Sequence, residues 1–232
     1  MSGQGISIII PVLNEARGIV RSLEGLQDFR RTGAEIIVVD GGSVDDTQRL
    51  AGGLADRIIL ADRGRGRQMN AGAATARGNA FLFLHADTCL PAAALTAVAD
   101  ALASGATWGR FDVRIDGSLH GLGLVARMMN LRSRLTGIAT GDQAIFVTRE
   151  AFRRVGGFPE IALMEDIVLS RELRALAWPA CFSDRVTTSG RRWERNGLLR
   201  TILMMWRLRL RFHFGASPAD LAREYGYSPD ER

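Results

Sequence analysis

A chain of 232 residues with 47% hydrophobic and 24% charged residues is long enough to bury one sizeable core and does not require two domains. All 30 basic residues are Arg, and the net charge of +5 therefore does not titrate away near neutrality; it suits a phosphate-bearing or anionic-surface partner, although genomic base composition explains an all-Arg surface equally well. Cys89 and Cys181 lack C-x-x-C spacing, which excludes a zinc ribbon and a disulfide framework and points to a reducing cytoplasm.

The opening residues run directly into an apolar strand, without the basic stretch and apolar core of a leader. Four aliphatic runs then predict strands at 6–10, 35–39, 57–60 and 80–84. Ile19, Val20, Leu23 and Leu26 recur at helical spacing between the first two, and Thr47, Leu50, Ala51 and Leu54 before the third. This βαβαβ alternation, with runs as apolar as Ile8–Ile10, predicts an α/β fold: a mostly parallel, Rossmann-like sheet covered by helices on both faces. Further on, the pattern predicts helices at 92–102, 149–155 and 167–176 and strands at 109–115 and 144–147. Near Asn196 the character changes to a basic apolar tail, so the expected organisation is a catalytic domain at 1–195 with a basic amphipathic segment, 196–232, packed on it. Arg200, Arg207, Arg209 and Arg211 interrupt this tail too often for a membrane-spanning helix. From Trp206 to Phe214 apolar and basic residues alternate, which suits an edge strand or an interfacial segment whose Arg side chains reach phospholipid headgroups.

In such sheets ligands sit where loops leave the carboxyl ends of strands. The first such loop reads Pro11-Val-Leu-Asn14-Glu15 and the second Asp40-Gly-Gly-Ser43-Val-Asp45-Asp46-Thr47. Asp40 is placed to accept hydrogen bonds from a base or ribose, whereas Asp45 and Asp46 read as first-turn helix acids. After the third strand, Arg63-Gly-Arg65-Gly-Arg67-Gln-Met-Asn70 offers glycines for backbone approach to a phosphate and Arg67 to pair with it, ahead of a helix at 71–76. It is not the dinucleotide fingerprint, and the loop Pro11 to Glu15 lacks the glycines a pyrophosphate would need, which argues against an NAD-dependent oxidoreductase. After the fourth strand, His85 and Asp87 alternate in extended chain and so converge on one ligand, a pairing suited to Mn or Mg bridged to a diphosphate. Glu165-Asp166 precedes a helix, and Arg191-Arg192-Trp193 offers a phosphate clamp beside an aromatic wall.

With Pro11-Val-Leu-Asn14-Glu15, Asp40-Gly-Gly-Ser43, His85-Ala-Asp87-Thr88, Gly141-Asp142-Gln143 and Glu165-Asp166 in this order, the sequence resembles the family 2 glycosyltransferases. The run from Gly141 to Phe146, followed by Gly156-Gly-Phe-Pro159, is similar to the selenodomain-associated transferases, and carotenoid-acid glucosyltransferases are similar relatives. The resemblance implies the GT-A nucleotide-diphospho-sugar transferase fold, an inverting mechanism and a UDP- or GDP-linked donor. It implies that Pro11, Asn14, Glu15 and Asp40, with Arg67 and Asn70, hold the donor. Asp87 matches the last acid of the family's D-x-D metal motif, while His85 replaces the first. Asp166 matches the general base, with Glu165 orienting it; Asp142, Gln143, Arg192 and Trp193 fall on the acceptor or phosphate side. Gly41 replaces a common Asp, and Ser189 replaces the Gln of the processive Q-x-x-R-W motif, which implies transfer of a single sugar. The expected partners are a nucleotide sugar, an acceptor such as a lipid or carotenoid-like acid offering a hydroxyl or carboxyl, and the inner membrane face; nucleic acid is not expected. A non-catalytic nucleotide-sugar-binding module is the alternative reading.

Overall fold

Alternate residues of the first strands are buried on opposite faces, and this sets the layers of the computed structural model, which describes residues 5–227. Ile8 and Ile10 of β1 (Ile6–Val12), with Ile36 and Val38 of β2 (Glu35–Asp40), enter one core; Ile9, Ile37 and Val39 enter a second on the other side. Side chains alternate with a period of two, so a sheet with helices on both faces needs continuous apolar strands. The remaining strands are β3 (Arg57–Leu60), β4 (Ala80–Phe83), β5 (Thr88–Cys89), β6 (Trp108–Asp116), β7 (Phe146–Thr148) and β8 (Ala180–Ser189). Their order across the sheet is β3-β2-β1-β4-β7-β6-β8-β5. β3, β2, β1 and β4 run parallel, β7 is antiparallel to both its neighbours, β6 and β8 are parallel, and β5 is antiparallel to β8. The expected mostly parallel α/β sheet is present, with β7 reversing direction in its middle.

The first core is covered by α1 (Ile19–Glu24), α2 (Gln27–Arg31), α3 (Thr47–Ala51), α5 (Ala94–Ala103) and α6 (Leu122–Thr136); the second by α4 (Arg65–Thr75), α7 (Arg149–Arg154) and α8 (Glu165–Leu176). The Arg-Gly run expected as a phosphate loop is instead the first turn of α4, which starts six residues before the expected helix at 71–76. Its glycines serve packing: a Cβ on Gly66 would lie 2.6 Å from the Pro159 carbonyl oxygen, and one on Gly72 would overlap Ile9 of β1. α4 thus lies directly on the sheet, its backbone held close by residues chosen for having no side chain.

The basic tail is helical: α9 (Arg191–Asn196), α10 (Leu198–His213) and α11 (Pro218–Tyr225). The alternation of 206–214 suggested a strand or a surface segment, but a helix accommodates it because α10 has two apolar sides. Leu208 and Phe212, one turn apart, pack inward with Leu221, Ala222, Leu163 and Met164, whereas Trp206 and Leu210 point outward. Arg207 and Arg211, also one turn apart, both pair with Glu224. α10 and α11 therefore pack on the segment that leads into Glu165-Asp166. Residues 1–4, where a leader was sought, and 228–232, the end of the tail, lie outside the described residues.

Candidate active site

The loops after β1 and β2 are knitted together by their own side chains. Asn14 accepts from the Val44 N–H at 2.9 Å, and its own N–H donates to Ser43 Oγ at 2.9 Å. The Glu15 N–H donates to Thr47 Oγ1 at 2.8 Å and the Ala16 N–H to Asp45 Oδ2 at 3.1 Å. A hydrogen bond from the Thr47 hydroxyl, more than any other contact, holds the Asp45 carboxyl below the usual carboxylate range. Asp40 is fully buried: Oδ1 accepts from the Ser43 amide and hydroxyl, and Oδ2 has no hydrogen-bond partner among the described residues. Gln68 bridges the ends of the same two strands, donating to the carbonyls of Val12 and Val39 at 2.9 and 2.8 Å. A Cβ on Gly41 would meet that amide at 3.0 Å, so Gln68 fills the space into which a side chain at 41 would project.

Through Pro11 and Glu15 the first of these loops forms part of the wall of a cleft of about 610 Å³, whereas Asn14 and Asp40, expected to hold the donor, do not line it and brace the loop from behind. Pro11, Glu15, His85, Asp87 and Asp142 line the cleft together with Arg65, Arg191, Arg192 and Arg195, and Tyr225 reaches in from α11. Four guanidinium groups facing three carboxylates make a site suited to a polyanion that brings its own charge. Arg191 lies 3.6 Å from Asp87 and 4.0 Å from Glu15, bridging the two acids. Burial pushes the Glu15 carboxyl above its ordinary value, with Arg191 opposing. Arg192 stacks on the Tyr225 ring, its guanidinium carbon 3.8 Å from the centroid.

His85 lines the cleft beside Asp87 and is also engaged by Asp142. Its Nδ1 lies 3.3 Å from Asp142 Oδ1, and Nε2 lies so close to Gly141 that a Cβ there would overlap it. Burial works against the Asp142 charge, but the hydrogen bond and charge of His85, with Arg65 and Arg192, outweigh it and hold this carboxyl low. Gly141–Gln143 is a tight 3-10 turn closed by a capping box between Thr140 and Gln143. Its first amide donates to Asp166 Oδ2 at 2.8 Å, while Oδ1 accepts from the Ile167 N–H at 2.7 Å. The turn thus ties the acid pair to the His85 loop.

Asp166 lines a smaller pocket beside the main cleft, sharing Arg65 and Tyr225 with it; Thr140, Glu165 and Arg209 complete its polar lining. Glu165 is buried, and desolvation, with Asp166 adding, pushes its carboxyl up to about 7. Asp166 is likewise raised, chiefly by desolvation, against the pull of the Gly141 amide. Arg65 is exposed to the cleft, and the carboxylates of Glu165, Asp142 and Asp166 around it hold the guanidinium charged against the desolvation of the site. Asn14, Ala144 and Met164 have left-handed backbones (φ 54°, 47° and 74°), the non-glycine residues with positive φ among those described. Each sits within or against one of the motifs Pro11–Glu15, Gly141–Gln143 and Glu165–Asp166, the kind of strain that collects where loops are shaped for function.

Several expected site residues lie elsewhere. Arg67 points out of the cleft and pairs with Glu160 at 3.1 Å; α4 turns through 100° per residue, so Arg65, two positions away, faces the cleft instead. Asn70 holds the backbone of Phe158 through reciprocal bonds of 2.8 and 2.9 Å. Gln143 is buried in its turn, and Trp193 packs against the first core, leaving the aromatic wall to Tyr225. Arg191, expected in the phosphate clamp, lines the cleft with Arg192, and Arg195 is a further cleft residue that motif reasoning passed over. Among the described residues no three His, Cys, Asp or Glu side chains gather as a metal centre.

A model described as Glycosyl transferase family 2 matches residues 7–153, from β1 to α7. The chain belongs to this family. The family match stops short of Glu165-Asp166, β8 and the C-terminal helices. Over 97 residues the chain is 36% identical to a PGL/p-HBAD biosynthesis glycosyltransferase of Mycobacterium bovis, a match covering 39% of this chain and 38% of that protein. The chain thus spans less than two-fifths of the length of that curated relative. Staphylococcus aureus TarS 1–349, solved with UDP-GlcNAc, superposes with a TM-score of 0.64 at 19% identity, over 80% of this chain and 58% of that one. The mannosyltransferase PcManGT of Pyrobaculum calidifontis, solved with GDP-Man and Mn2+, superposes with a TM-score of 0.64 at 20% identity, over 96% of this chain and 69% of that one. These likenesses establish the fold as that of the GT-A nucleotide-sugar transferases, which the family's sequence resemblance implied.

Proposed function

We propose that the chain is an inverting glycosyltransferase that moves a single sugar from a UDP- or GDP-linked donor to the hydroxyl or carboxyl of an acceptor, with a lipid-borne acceptor at the inner membrane face as the favoured case. The observation that carries it is the cleft in which four arginines face Glu15, Asp87 and Asp142, with an acid pair, Glu165 buried and Asp166 half-buried, at its side. The family membership, and neighbours solved with UDP-GlcNAc and with GDP-Man and Mn2+, support the donor class.

In this reading an acceptor O–H gives its proton to Asp166, and its oxygen forms a bond to the anomeric carbon as the bond from that carbon to the diphosphate oxygen breaks. The electron pair leaves with the diphosphate, where Arg65, Arg191, Arg192 and Arg195 offset the growing charge. The raised Asp166 carboxyl is a better base near neutrality than an ordinary aspartate, and Gly141 fixes its orientation. A carboxylate acceptor arrives without a proton and needs no base, so Asp166→Asn separates the two acceptor classes. Asp87, a cleft carboxylate, would hold Mn or Mg, hard cations that take oxygen ligands and are commonly bound through one or two carboxylates plus substrate phosphates. Such an ion supplies Lewis-acid stabilisation of the leaving diphosphate. His85, occupied by Asp142, is the weaker of the two ligands expected from the sequence.

Calorimetric titration with UDP, GDP and their sugar conjugates, with and without Mn, tests the donor site. Metal-dependent binding of one nucleotide, lost in Asp87→Ala, is the expected result; no binding by any of them overturns the reading. Donor binding with no transfer to any acceptor, unaltered by Asp166→Asn, would favour a non-catalytic module.

A further inference from the structure

Two helices carry apolar side chains on the side turned away from the core. On α6 these are Leu124, Met128, Leu131 and Leu135; on α10 they are Leu199, Leu203, Trp206 and Leu210, continued by Phe214 at its end. Each of these nine side chains is more than half exposed. Both helical sets repeat at steps of four, three and four residues, which keeps each stripe on one face of its helix. The opposite faces share one core: Leu122, Val125 and Ala126 of α6 are buried in the cluster against which Leu198 and Ile202 of α10 pack. The helices approach at their first turns, where a Cβ on Gly121 would lie 2.8 Å from Leu198. Exposed Trp178 extends the α6 stripe, with its ring beside Gly137 at the end of that helix.

Charge decides what covers this surface. The sequence has no Asp or Glu between Asp116 and Asp142, nor between Glu194 and Asp220, while those two segments contain eight arginines; Arg134 pairs with Asp112, Arg207 and Arg211 pair with Glu224, and Arg195 and Arg209 line the cleft and the Asp166 pocket. Exposed Arg127 and Arg200 have no ion-pair partner among the described residues. A second copy docked on the same face would set these cations against their own kind. An anionic bilayer offsets them and receives the Leu, Met, Trp and Phe side chains, the combination by which amphipathic helices lie in a membrane interface. No helix among the described residues is long and apolar enough to cross a membrane.

We infer that α6 and α10 together form a docking face for an anionic lipid bilayer. α10 also carries Arg209, and with α11 it packs on Leu163 and Met164 just before the acid pair and lines the pocket of Asp166, so a bilayer held there lies on an element of that pocket's wall. The inference deepens the lipid-acceptor reading of that site, and its test does not depend on transfer. Flotation of the full chain with phosphatidylcholine vesicles, and with vesicles containing a quarter phosphatidylglycerol, measures it. The wild type is expected to float with the anionic vesicles and to be released by high salt. Met128→Glu/Leu131→Glu in α6 and Leu203→Glu/Trp206→Glu in α10 are each expected to weaken binding about tenfold or more, since each removes two inserted side chains. Thermal melts and nucleotide titrations unchanged from wild type in both double variants would show that the fold and donor site are intact. Absence of flotation, or flotation of either double variant as strong as wild type, overturns the inference. So does a dimer in solution that both variants dissociate, which would assign the face to a second copy. Loss of flotation with nucleotide binding retained in the variants would leave the donor-site reading standing, and the converse would remove that reading alone.

Discussion

Replacing Glu165 with Gln gives a stability change whose size and pH dependence follow from the burial of this carboxyl beside Asp166. Glu165 is buried beside Asp166, and its carboxyl is pushed from 4.5 to about 7, by desolvation first and Asp166 second. A group with its pKa raised by folding binds a proton more tightly in the folded chain, so its contribution is fully present below 4.5 and is lost as pH rises toward 7. Above that, ionised Glu165 costs the folded state roughly 3 kcal/mol. Gln keeps the shape and cannot ionise. The Glu165→Gln variant is therefore expected to match wild type within about 1 kcal/mol near pH 4.5 and to exceed it by roughly 2–3 kcal/mol at pH 8. With a urea slope of about 2–3 kcal/mol/M, the midpoint rises by about 1 M at the higher pH. Urea denaturation of both proteins at half-unit steps between pH 4.5 and 8.5 measures this. A difference that stays constant with pH would refute the argument, since packing or hydrogen bonding lost to Gln has no reason to follow the titration of one carboxyl.

Asp166→Asn is expected to lower turnover on a hydroxyl acceptor by about a hundredfold or more with donor affinity retained, checked by transfer assay beside nucleotide calorimetry. Arg65→Ala should weaken nucleotide diphosphate binding while Arg67→Ala leaves it unchanged, because only Arg65 faces the cleft; equal effects in calorimetry would contradict this assignment. Arg110 is fully buried, pairs with Asp112 and donates to the Asn130 carbonyl, so Arg110→Ala, which leaves a cavity and an unpaired Asn130 carbonyl while Asp112 keeps Arg134, should destabilise by about 2–5 kcal/mol in urea melts. Gly72→Ala should cost about 1–3 kcal/mol in the same assay, as its methyl group would overlap Ile9.

The parallel half of the sheet was legible because its determinants are local and periodic. The run from Ile6 to Ile10 has no polar side to offer water except Ser7, and the strand pairs with β2 and β4 as the βαβ alternation requires. The second half was harder to read. β8 is only partly buried along much of its length and has no strict alternation, and α6 carries apolar residues on two faces, which blurs the period that marks a helix. The same blurring hid α10, where inward Leu208 and outward Trp206 made a helix look like a strand.

By itself the sequence determined the order of the motifs and the chemical type of each group at the strand ends, since backbone periodicity and residue chemistry are properties of short segments. It therefore carried Asp87, Glu15 and Arg192 to the cleft and Glu165-Asp166 to its side. Only the tertiary structure decided which neighbour in a motif faces the site and which holds the frame. Arg65 rather than Arg67 enters the cleft because α4 begins at Arg65 and rotates them apart, and His85 pairs with Asp142 because the turn at Gly141 packs against its ring. Tyr225 completes the wall only through the docking of α11 on Leu163 and Met164, a contact between segments about sixty residues apart that no local pattern encodes.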